Sequence, residues 1–305
     1  MKSYILKRLV QAAICLIGVS IVIFFLTHIS GDPVLLLVPP EATGEDIEKM
    51  RTFLGLNEPL YIQYGKFISR AVQGDLGQSI RWNRPTIELF LERFPNTLLL
   101  AVAAMGFAVC IGIPVGVISA IKVGKWFDSI GKVFALFGQA MPVFWVGIMF
   151  ILIFAIRLKL LPTSGIGDWR NVIMPAITLG WFFTAALTRI SRSAMLDVID
   201  REYIKMERIM GISELRVIGK YALKNAFIPI LTLGAVNFVI LLNGAVVTEM
   251  VFNWPGVGRL IVDGIFTRDF PVVQTCVLIA SSFYIFINLF VDILYAYIDP
   301  RIRYQ

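Results

Sequence analysis

The sequence has little of the chemistry that most enzymes and metalloproteins use. Its 305 residues include one histidine, His28, and three cysteines, Cys15, Cys110 and Cys276. The cysteines lie in separate apolar stretches without disulfide or metal-ligand spacing, so we interpret them as small core or lipid-facing residues. The histidine ends the first apolar stretch, where an interfacial residue is expected more often than a ligand. Neither a metal or redox centre nor a serine–histidine catalytic pair is predicted.

Charge is also scarce, and this excludes further classes. Charged residues make up 16% of the chain and hydrophobic residues 57%, with a mean hydropathy of +0.78. Such a composition indicates a polytopic membrane protein. The sequence has no G-x-x-x-x-G-K-[ST] phosphate-binding loop, and only Asp292 lies deep enough in an apolar stretch to bind a coupling ion. A stand-alone channel or carrier and an intramembrane enzyme are therefore disfavoured, and the energy source is predicted to be another subunit.

Six apolar stretches reach, or nearly reach, the length of about 20 residues that a helix needs to cross a bilayer. The predicted fold is an all-α polytopic membrane protein with six transmembrane helices. The first stretch is longer than the apolar part of a signal peptide and no A-x-A cleavage site follows, which predicts a retained anchor helix. The predicted spans are Leu9–Ile29, Leu98–Ile121, Val133–Ile156, Val172–Thr188, Ala226–Thr248 and Phe270–Val291.

Lysine and arginine outside the spans predict the orientation of the chain in the membrane. Six spans place the two termini, the segment between spans two and three, and the segment between spans four and five on one side. Because all four segments are basic, the positive-inside rule assigns that side to the cytoplasm. The residues concerned are Lys2, Lys7, Arg8, Lys122, Lys125, Lys132, the eight basic residues from Arg189 to Lys224, Arg301 and Arg303.

The segment 30–96 between the first two spans is then predicted to form a small, mostly helical cap on the outer face. In EDIEKMRTFLGL, Ile47, Met50 and Leu54 have helical spacing, and Gly55 would end the helix. YIQYGKFISRAVQ predicts a second helix, and GDLGQS predicts a turn. The pattern is equally compatible with packing over the spans and with docking a partner.

The segment between spans four and five predicts two short amphipathic helices with a glycine turn between them. Tyr203, Met206 and Met210 have i, i+3, i+7 spacing, which places them on one apolar face. Gly211 follows where a glycine of positive φ would end the first helix, and Ser213 can cap the second. Such a pair of helices could lie on lipid headgroups or dock a cytoplasmic partner. The compact turn favours docking.

An ordered set of motifs along the chain resembles the permease subunits of bacterial ABC importers, in the dipeptide, oligopeptide, nickel and glutathione branch. The opening helix, ILKRLVQAAICLIGVSIVIFFLTHISGDP, is followed by LGLNEPLYIQYGKFI and GDLGQSI in the outer segment. The core contains ERFPNTLLLA, MPVFWVGI and the coupling loop EYIKMERIMGISELRVIGKYALKNAFIPIL. FNWPGVGRLIVDGIFTRDFPVVQ precedes the last span, and YAYIDPRIR ends the chain. The resemblance covers nearly the whole sequence, and the ordered set is more specific than any one motif.

The resemblance implies a domain organisation and a set of partners. Residues 1–96 would form the anchor helix and outer segment, and residues 97–305 the five-helix permease core, with the coupling loop at about 195–226. Such subunits pair with a second homologous permease, two cytoplasmic ATPase subunits and an outer substrate-binding protein in the bacterial inner membrane. The chain would be non-catalytic and hold no cofactor, with ATP and Mg²⁺ in the ATPases. The expected substrate is a di- or oligopeptide, and a nickel chelate or glutathione is the alternative.

The resemblance assigns the ATPase contact to the coupling loop, with Met210 and Ile212 as apolar anchors. Importer loops generally resemble E-A-A-x-x-x-G, whereas here Lys205, Met206 and Glu207 precede the glycine. Glu207 stands where a small residue is usual, so a charge contact is expected in place of close packing. The predicted contact residues are Tyr203, Met206, Glu207, Arg208, Met210, Gly211, Ile212, Ser213 and Glu214.

Polar residues within the spans are candidates for the translocation path, since an amide without a partner is costly inside a bilayer. These residues are Gln139, Asn237 and Asn243, for which hydrogen bonds between helices are the alternative role. Glu249, near the outer end of the fifth span, is a fourth candidate. With Asn253 and Arg259 it could also form an outer gate.

Overall fold

Helices dominate the computed structural model, which describes residues 2–29, 34, 43–53 and 55–298. Those residues contain no β-strand, and the predicted all-α class is confirmed. The helices are α1 (Lys2–Ile29), α2 (Gly44–Phe53), α3 (Leu60–Val72), α4 (Thr86–Ile121), α5 (Trp126–Ala140), α6 (Val143–Phe150) with a π-helical continuation (Ile151–Arg157), α7 (Arg170–Ile199), α8 (Glu202–Ile209), α9 (Glu214–Arg216) with a π-helical continuation (Val217–Ala222), α10 (Leu223–Gly244), α11 (Val246–Val251), α12 (Val257–Phe266) and α13 (Phe270–Ile298).

Five helical stretches in the described chain are long and apolar enough to cross a membrane. They are Ile5–Leu26, Thr86–Ile121, Arg170–Ile199, Glu214–Leu242 and Phe270–Phe290. The remaining predicted span, Val133–Ile156, is instead divided between α5 and α6, which are bent by 103°. The bent pair makes the total six if it counts as one span.

The bend lies at Met141 and Pro142, and the sequence prediction did not include it. Met141 has extended backbone angles, φ −81° and ψ 129°. Proline lacks the N–H that would continue the helical hydrogen bonds, and its ring disfavours a helical conformation in the preceding residue. The apolar composition on both sides concealed this break, because hydropathy does not register backbone geometry.

The second predicted loop helix is not separate from the fifth span, which corrects the prediction. α9, its π-helical continuation and α10 form one stretch, Glu214–Leu242. Gly219 is accommodated inside the π-helical part, so no helix stop separates the loop from the membrane. The fifth candidate span therefore begins directly after the glycine turn of the predicted loop.

The chain divides into two compact units, the first of which contains Met1–Pro95 and Gly256–Gln305. In this unit α1 packs along α13, and α12 also packs on α13. The ring of Phe24 in α1 contacts Tyr64 of α3, with centroids 5.4 Å apart. The unit includes both the N-terminal helix and the last helix, and the predicted division into residues 1–96 and 97–305 stays a prediction. Its buried apolar cluster consists of Leu89, Phe90, Val257, Leu260, Val272 and Cys276.

The outer segment contains both predicted helices, α2 and α3. A capping box begins α2: the N–H of Thr43 donates to Asp46 Oδ2 at 3.0 Å, and that of Asp46 donates to Thr43 Oγ1 at 3.3 Å. The bonds from Thr43 lower the pKa of Asp46. Farther along, the buried Ser79 hydroxyl donates to Asp269 Oδ2 at 2.5 Å, which ties the outer segment to the residue before α13.

The second unit, Asn96–Pro255, is built around α7, which packs against α5, α6 and α10. Glycines allow α4 and α7 to approach until their backbones touch. A Cβ at Gly116 would lie 2.5 Å from the carbonyl oxygen of Thr188, and one at Gly180 would lie 2.6 Å from that of Ala104. Small residues at a helix interface permit such close packing in membranes. The absence of side chains at these glycines therefore permits the close approach of α4 to α7.

Candidate coupling loop and buried polar sites

The predicted docking loop is built on a tight glycine turn that ends α8. Gly211 has φ +76°, in the left-handed region that favours glycine. Its N–H donates to Arg208 O at 3.0 Å, and the N–H of Ile212 donates to Glu207 O at 3.3 Å. These two bonds form a Schellman motif, which satisfies carbonyl groups at the helix end. Gly211 therefore has the positive φ that the sequence predicts for the residue that ends this helix.

Ser213 occupies the predicted cap position of the next helix, but only its backbone takes part. Its carbonyl accepts hydrogen bonds from the N–H groups of Arg216 at 2.9 Å and Val217 at 3.0 Å. Its hydroxyl makes no capping hydrogen bond. The start of α9 therefore lacks the side-chain cap that the sequence predicts.

Apolar residues of the loop divide into a buried set and an exposed set. Ile204 is fully buried, and Ile212 packs partly buried against the same cluster. One face of the loop is thus fixed to the second unit, and the predicted anchors Met210 and Ile212 do not share a face. The exposed residues are Met206 (63%), Ile209 (83%), Met210 (62%) and Leu215 (89%). Ile209 and Leu215 were absent from the predicted contact set, although Leu215 has i, i+3, i+7 spacing with Ile218 and Ala222.

Charged side chains surround this exposed apolar patch. Arg208 and Glu214 form a bidentate pair across the turn, with Nη2 to Oε1 at 2.7 Å and Nε to Oε2 at 3.1 Å. The hydrogen bonds to Glu214 raise the pKa of Arg208. Glu207 is half-buried, and its carboxylate has no partner in the described chain. The exposed hydroxyl of Tyr203 accepts a hydrogen bond from Asn225 Nδ2 at 3.0 Å.

The amides predicted in the translocation path have different surroundings. Gln139 Oε1 accepts a hydrogen bond from Arg189 Nη1 at 2.9 Å, which joins α5 to α7. Asn237, on α10, is buried, and its Nδ2 lacks a hydrogen-bond partner in the described part of the chain. The side chain of Asn243 lies outside the described residues.

Glu249, the fourth path candidate, is fully buried and accepts a hydrogen bond from Thr97 Oγ1 at 2.7 Å. The same part of α4 binds the next turn of the chain: the indole of Trp254 donates to Asn96 O at 3.0 Å, and Asn96 Nδ2 donates to Pro255 O at 2.8 Å. These contacts fasten the segment after α11 to the N-terminal part of the second unit.

The two residues suggested to form an outer gate with Glu249 have separate settings. Asn253 has φ +51° in the turn after α11. Arg259 belongs to the first unit, where its Nε lies 3.7 Å from Asp263 Oδ2. Asn253 and Arg259 are close in sequence, which suggested the gate, but they belong to different units.

A buried carboxylate that the sequence prediction missed lies at the start of α5. Asp128 is fully buried and accepts hydrogen bonds from Arg192 Nε at 2.7 Å, Ser119 Oγ at 2.7 Å and the N–H of Gly124 at 3.2 Å. Lys132 Nζ lies 2.8 Å from its second oxygen. The cluster joins α4, α5 and α7. A single aspartate within a lysine-rich segment was the available sign of a buried ion pair. Its arginine partner is remote in sequence, so the pair could not be identified from that sign alone.

Comparison with known proteins gives full-length matches. The family described as binding-protein-dependent transport system inner membrane component matches residues 112–304, and its N-terminal counterpart matches residues 1–101. The glutathione transport system permease protein GsiC of Escherichia coli O6:H1 strain CFT073 is 42% identical over 306 residues, covering 100% of both chains. The protein of the same name from Escherichia coli strain K12 is 41% identical with the same coverage.

A solved structure supports the fold alone. It is described as an inward-facing conformation of the MetNI methionine ABC transporter and matches with a TM-score of 0.59 at 16% identity. The match covers 70% of this chain and 97% of that chain. The helical arrangement is therefore shared more widely than the sequence.

Proposed function

Since this chain belongs to the binding-protein-dependent transport system inner membrane component family, we propose that it forms half of the translocation path of an ABC importer for short peptides. Members of the family are multi-pass permeases of the bacterial inner membrane. A homologous permease would form the other half, an outer binding protein would deliver the substrate, and two cytoplasmic ATPases would hold ATP and Mg²⁺. Both termini would face the cytoplasm.

Glutathione is the first substrate to test, because full-length relatives are named as glutathione transport permeases. Glutathione was the alternative to the expected di- or oligopeptide, so a dipeptide and a nickel chelate are the substrates to compare with it. The test is uptake of labelled glutathione, a dipeptide and nickel by vesicles that contain the whole importer and its binding protein. ATP-dependent uptake of glutathione supports the assignment, and uptake of nickel alone would contradict it.

The ATPase contact would be the exposed patch on α8, the Gly211 turn and α9. Met206, Ile209, Met210 and Leu215 are exposed beside Lys205, Arg208 and Glu214, and we propose that this patch faces a partner in water rather than lipid headgroups. An exposed apolar patch with a charged rim is typical of a docking surface. This patch is the observation that carries the proposal, since it would connect ATP hydrolysis in the partners to the fifth span.

A matched pair of glycine substitutions tests the docking role. A Cβ would meet nothing within 4 Å at either Gly211 or Gly219, but only Gly211 has positive φ. Gly211→Ala should therefore strain the turn and lower substrate-stimulated ATP hydrolysis by the assembled importer, whereas Gly219→Ala should not. Gly211→Pro should have a larger effect, because proline also removes the N–H that binds Arg208 O. Unchanged stimulation in all three variants would refute docking at this turn.

The translocation path would include Gln139, Asn237, Asn243 and Glu249. Asn237 offers the most direct support, because a buried amide without a partner is costly within a membrane and gains from bonds made in another state. Asn237→Leu should leave assembly intact and reduce uptake. Full uptake by this variant would remove Asn237 from the proposed path.

A further inference from the structure

The ion pair between Arg208 and Glu214 connects the two sides of the glycine turn. Arg208 lies in the last turn of α8, and Glu214 is the first residue of α9. Their two hydrogen bonds, at 2.7 and 3.1 Å, match the planar guanidinium to the carboxylate. A bidentate contact of this kind fixes orientation as well as distance, which a single lysine–carboxylate bond does not.

At the turn itself, this pair is the side-chain hydrogen-bonded link between α8 and α9 in the described chain, and Asn225, farther along the same helical stretch, also donates to Tyr203 of α8. The Schellman bonds close α8 and position Gly211 and Ile212, but they do not reach α9. The hydroxyl of Ser213 makes no capping bond. The pair also has the favourable polarity for both helices, since a cation stabilises a helix C-terminus and an anion stabilises an N-terminus.

The exposed patch needs both sides of the turn to keep one arrangement. Met206, Ile209 and Met210 come from α8 and its end, whereas Leu215 comes from α9. A turn that varied in angle would have to be ordered when the patch binds a partner, and that ordering would weaken binding.

We propose that Arg208 and Glu214 are positioning residues that fix the angle between α8 and α9 before the ATPase binds, so that the exposed patch is presented in one arrangement. This inference rests on the proposed function, in which the patch docks an ATPase subunit. The alternative is that each charge contacts the ATPase directly. Double substitution distinguishes the two cases. If the residues act as a pair, either single substitution already breaks their contact and the second adds little, whereas separate contacts with the ATPase would give additive losses.

The experiment is a double-mutant cycle in the whole importer, reconstituted with its ATPases and substrate-loaded binding protein. The variants are Arg208→Gln, Glu214→Gln and the two combined, and the measurement is the ratio of stimulated to basal ATP hydrolysis. Each single substitution should lower the ratio about two- to fivefold, the range for a well-formed exposed pair. The combined variant should match the single variants. Arg208→Lys, which keeps the charge but not the fork, should fall between Arg208→Gln and the wild type.

Two further variants separate the outcomes. Arg216 is an exposed arginine of the same loop outside any ion pair in the described chain, so Arg216→Gln should leave the ratio unchanged. The proposal is wrong if the combined variant lowers the ratio by the product of the two single effects. It is also wrong if neither single substitution lowers the ratio, or if Arg216→Gln lowers it equally. Met210→Asp tests the docking itself. If it leaves the ratio unchanged, the proposed ATPase docking at this patch is wrong, whereas a loss there with unaffected pair variants refutes only the positioning role.

Discussion

Asp128 shows how one side chain can join three helices. Its carboxylate accepts bonds from Ser119 at the end of α4 and from Arg192 on α7, while Lys132 contacts it from its own helix. The side chain of Arg192 is 23% exposed and that of Lys132 is 55% exposed, so the two cations are screened to different degrees. The contact with Arg192 should therefore contribute more to stability than the contact with Lys132.

Asp128→Asn should lower the free energy of unfolding by about 3 kcal/mol, at the low end for breaking a buried ion pair because Arg192 keeps some contact with water. Lys132→Gln, which removes only the more exposed cation, should cost less than about 1 kcal/mol. The measurement is the apparent thermal midpoint of the purified importer in detergent. Equal shifts for the two variants would mean that the burial of Asp128 contributes little.

Residues differ in how far the sequence predicts their role. The turn at Gly211 depends on local backbone geometry, so one glycine after a short helical pattern was sufficient to place it. Asp128 depends on Arg192, which follows in another helix, and no local pattern connects the two. Ile212 was predicted as an exposed anchor, but its side chain packs partly buried. The direction of that side chain depends on the cluster it meets, and this is a property of the folded chain.

At the scale of elements, the packing of α4 against α7 depends on the absence of side chains. Gly112 and Gly116 are one helical turn apart on α4, and a Cβ at either would lie within 2.8 Å of a carbonyl oxygen of α7. Gly106, on the same helix, has open space around it. The glycines of α4 therefore have two different roles, which provides an internal control.

Gly116→Ala should destabilise the protein by about 1–3 kcal/mol, because the two backbones must separate to admit a methyl group. Gly106→Ala should be neutral or stabilising by up to about 1 kcal/mol, since alanine has the higher helix propensity. Both values can be compared through apparent thermal midpoints and through the yield of assembled importer. A destabilising Gly106→Ala with a neutral Gly116→Ala would contradict the observed packing.

Element prediction succeeded where one physical property decided the outcome. Apolar length located the spans, and the outer helices followed from their side-chain spacing. It failed at Met141 and Pro142, because the apolar pattern continues across a backbone break. It also failed at Glu214, where the amphipathic pattern of the loop runs without a stop into the apolar pattern of α10. Both errors occurred where two patterns share one uninterrupted stretch of sequence.

At the scale of the whole molecule, the orientation of the chain connects the loop to its proposed partners. Single cysteines at Val72, at the end of α3, and at Lys125, before α5, report the two sides of the membrane. Val72 is 83% exposed and Lys125 is exposed, and neither belongs to the proposed docking patch. The native residues Cys15 and Cys110 are exposed and must first be replaced.

An impermeant maleimide should label Val72→Cys in spheroplasts and Lys125→Cys only in inside-out vesicles. This result is expected because the segment 30–96 is predicted to lie outside, whereas the lysine-rich segment before α5 is predicted to face the cytoplasm. The measurement is the labelled fraction of each variant in both preparations. Labelling of both positions from one side would exclude the six-span topology.

The packing of α1 along α13 has a consequence for biosynthesis. The ribosome makes α1 before α13, at about 5–20 residues per second, so α1 enters the bilayer on the order of tens of seconds before this partner exists. During that interval the face of α1 that α13 will cover is open to lipid, insertase or chaperone. A message truncated before α13 would leave this face of α1 uncovered, so membrane proteases could distinguish incomplete chains from finished ones at α1.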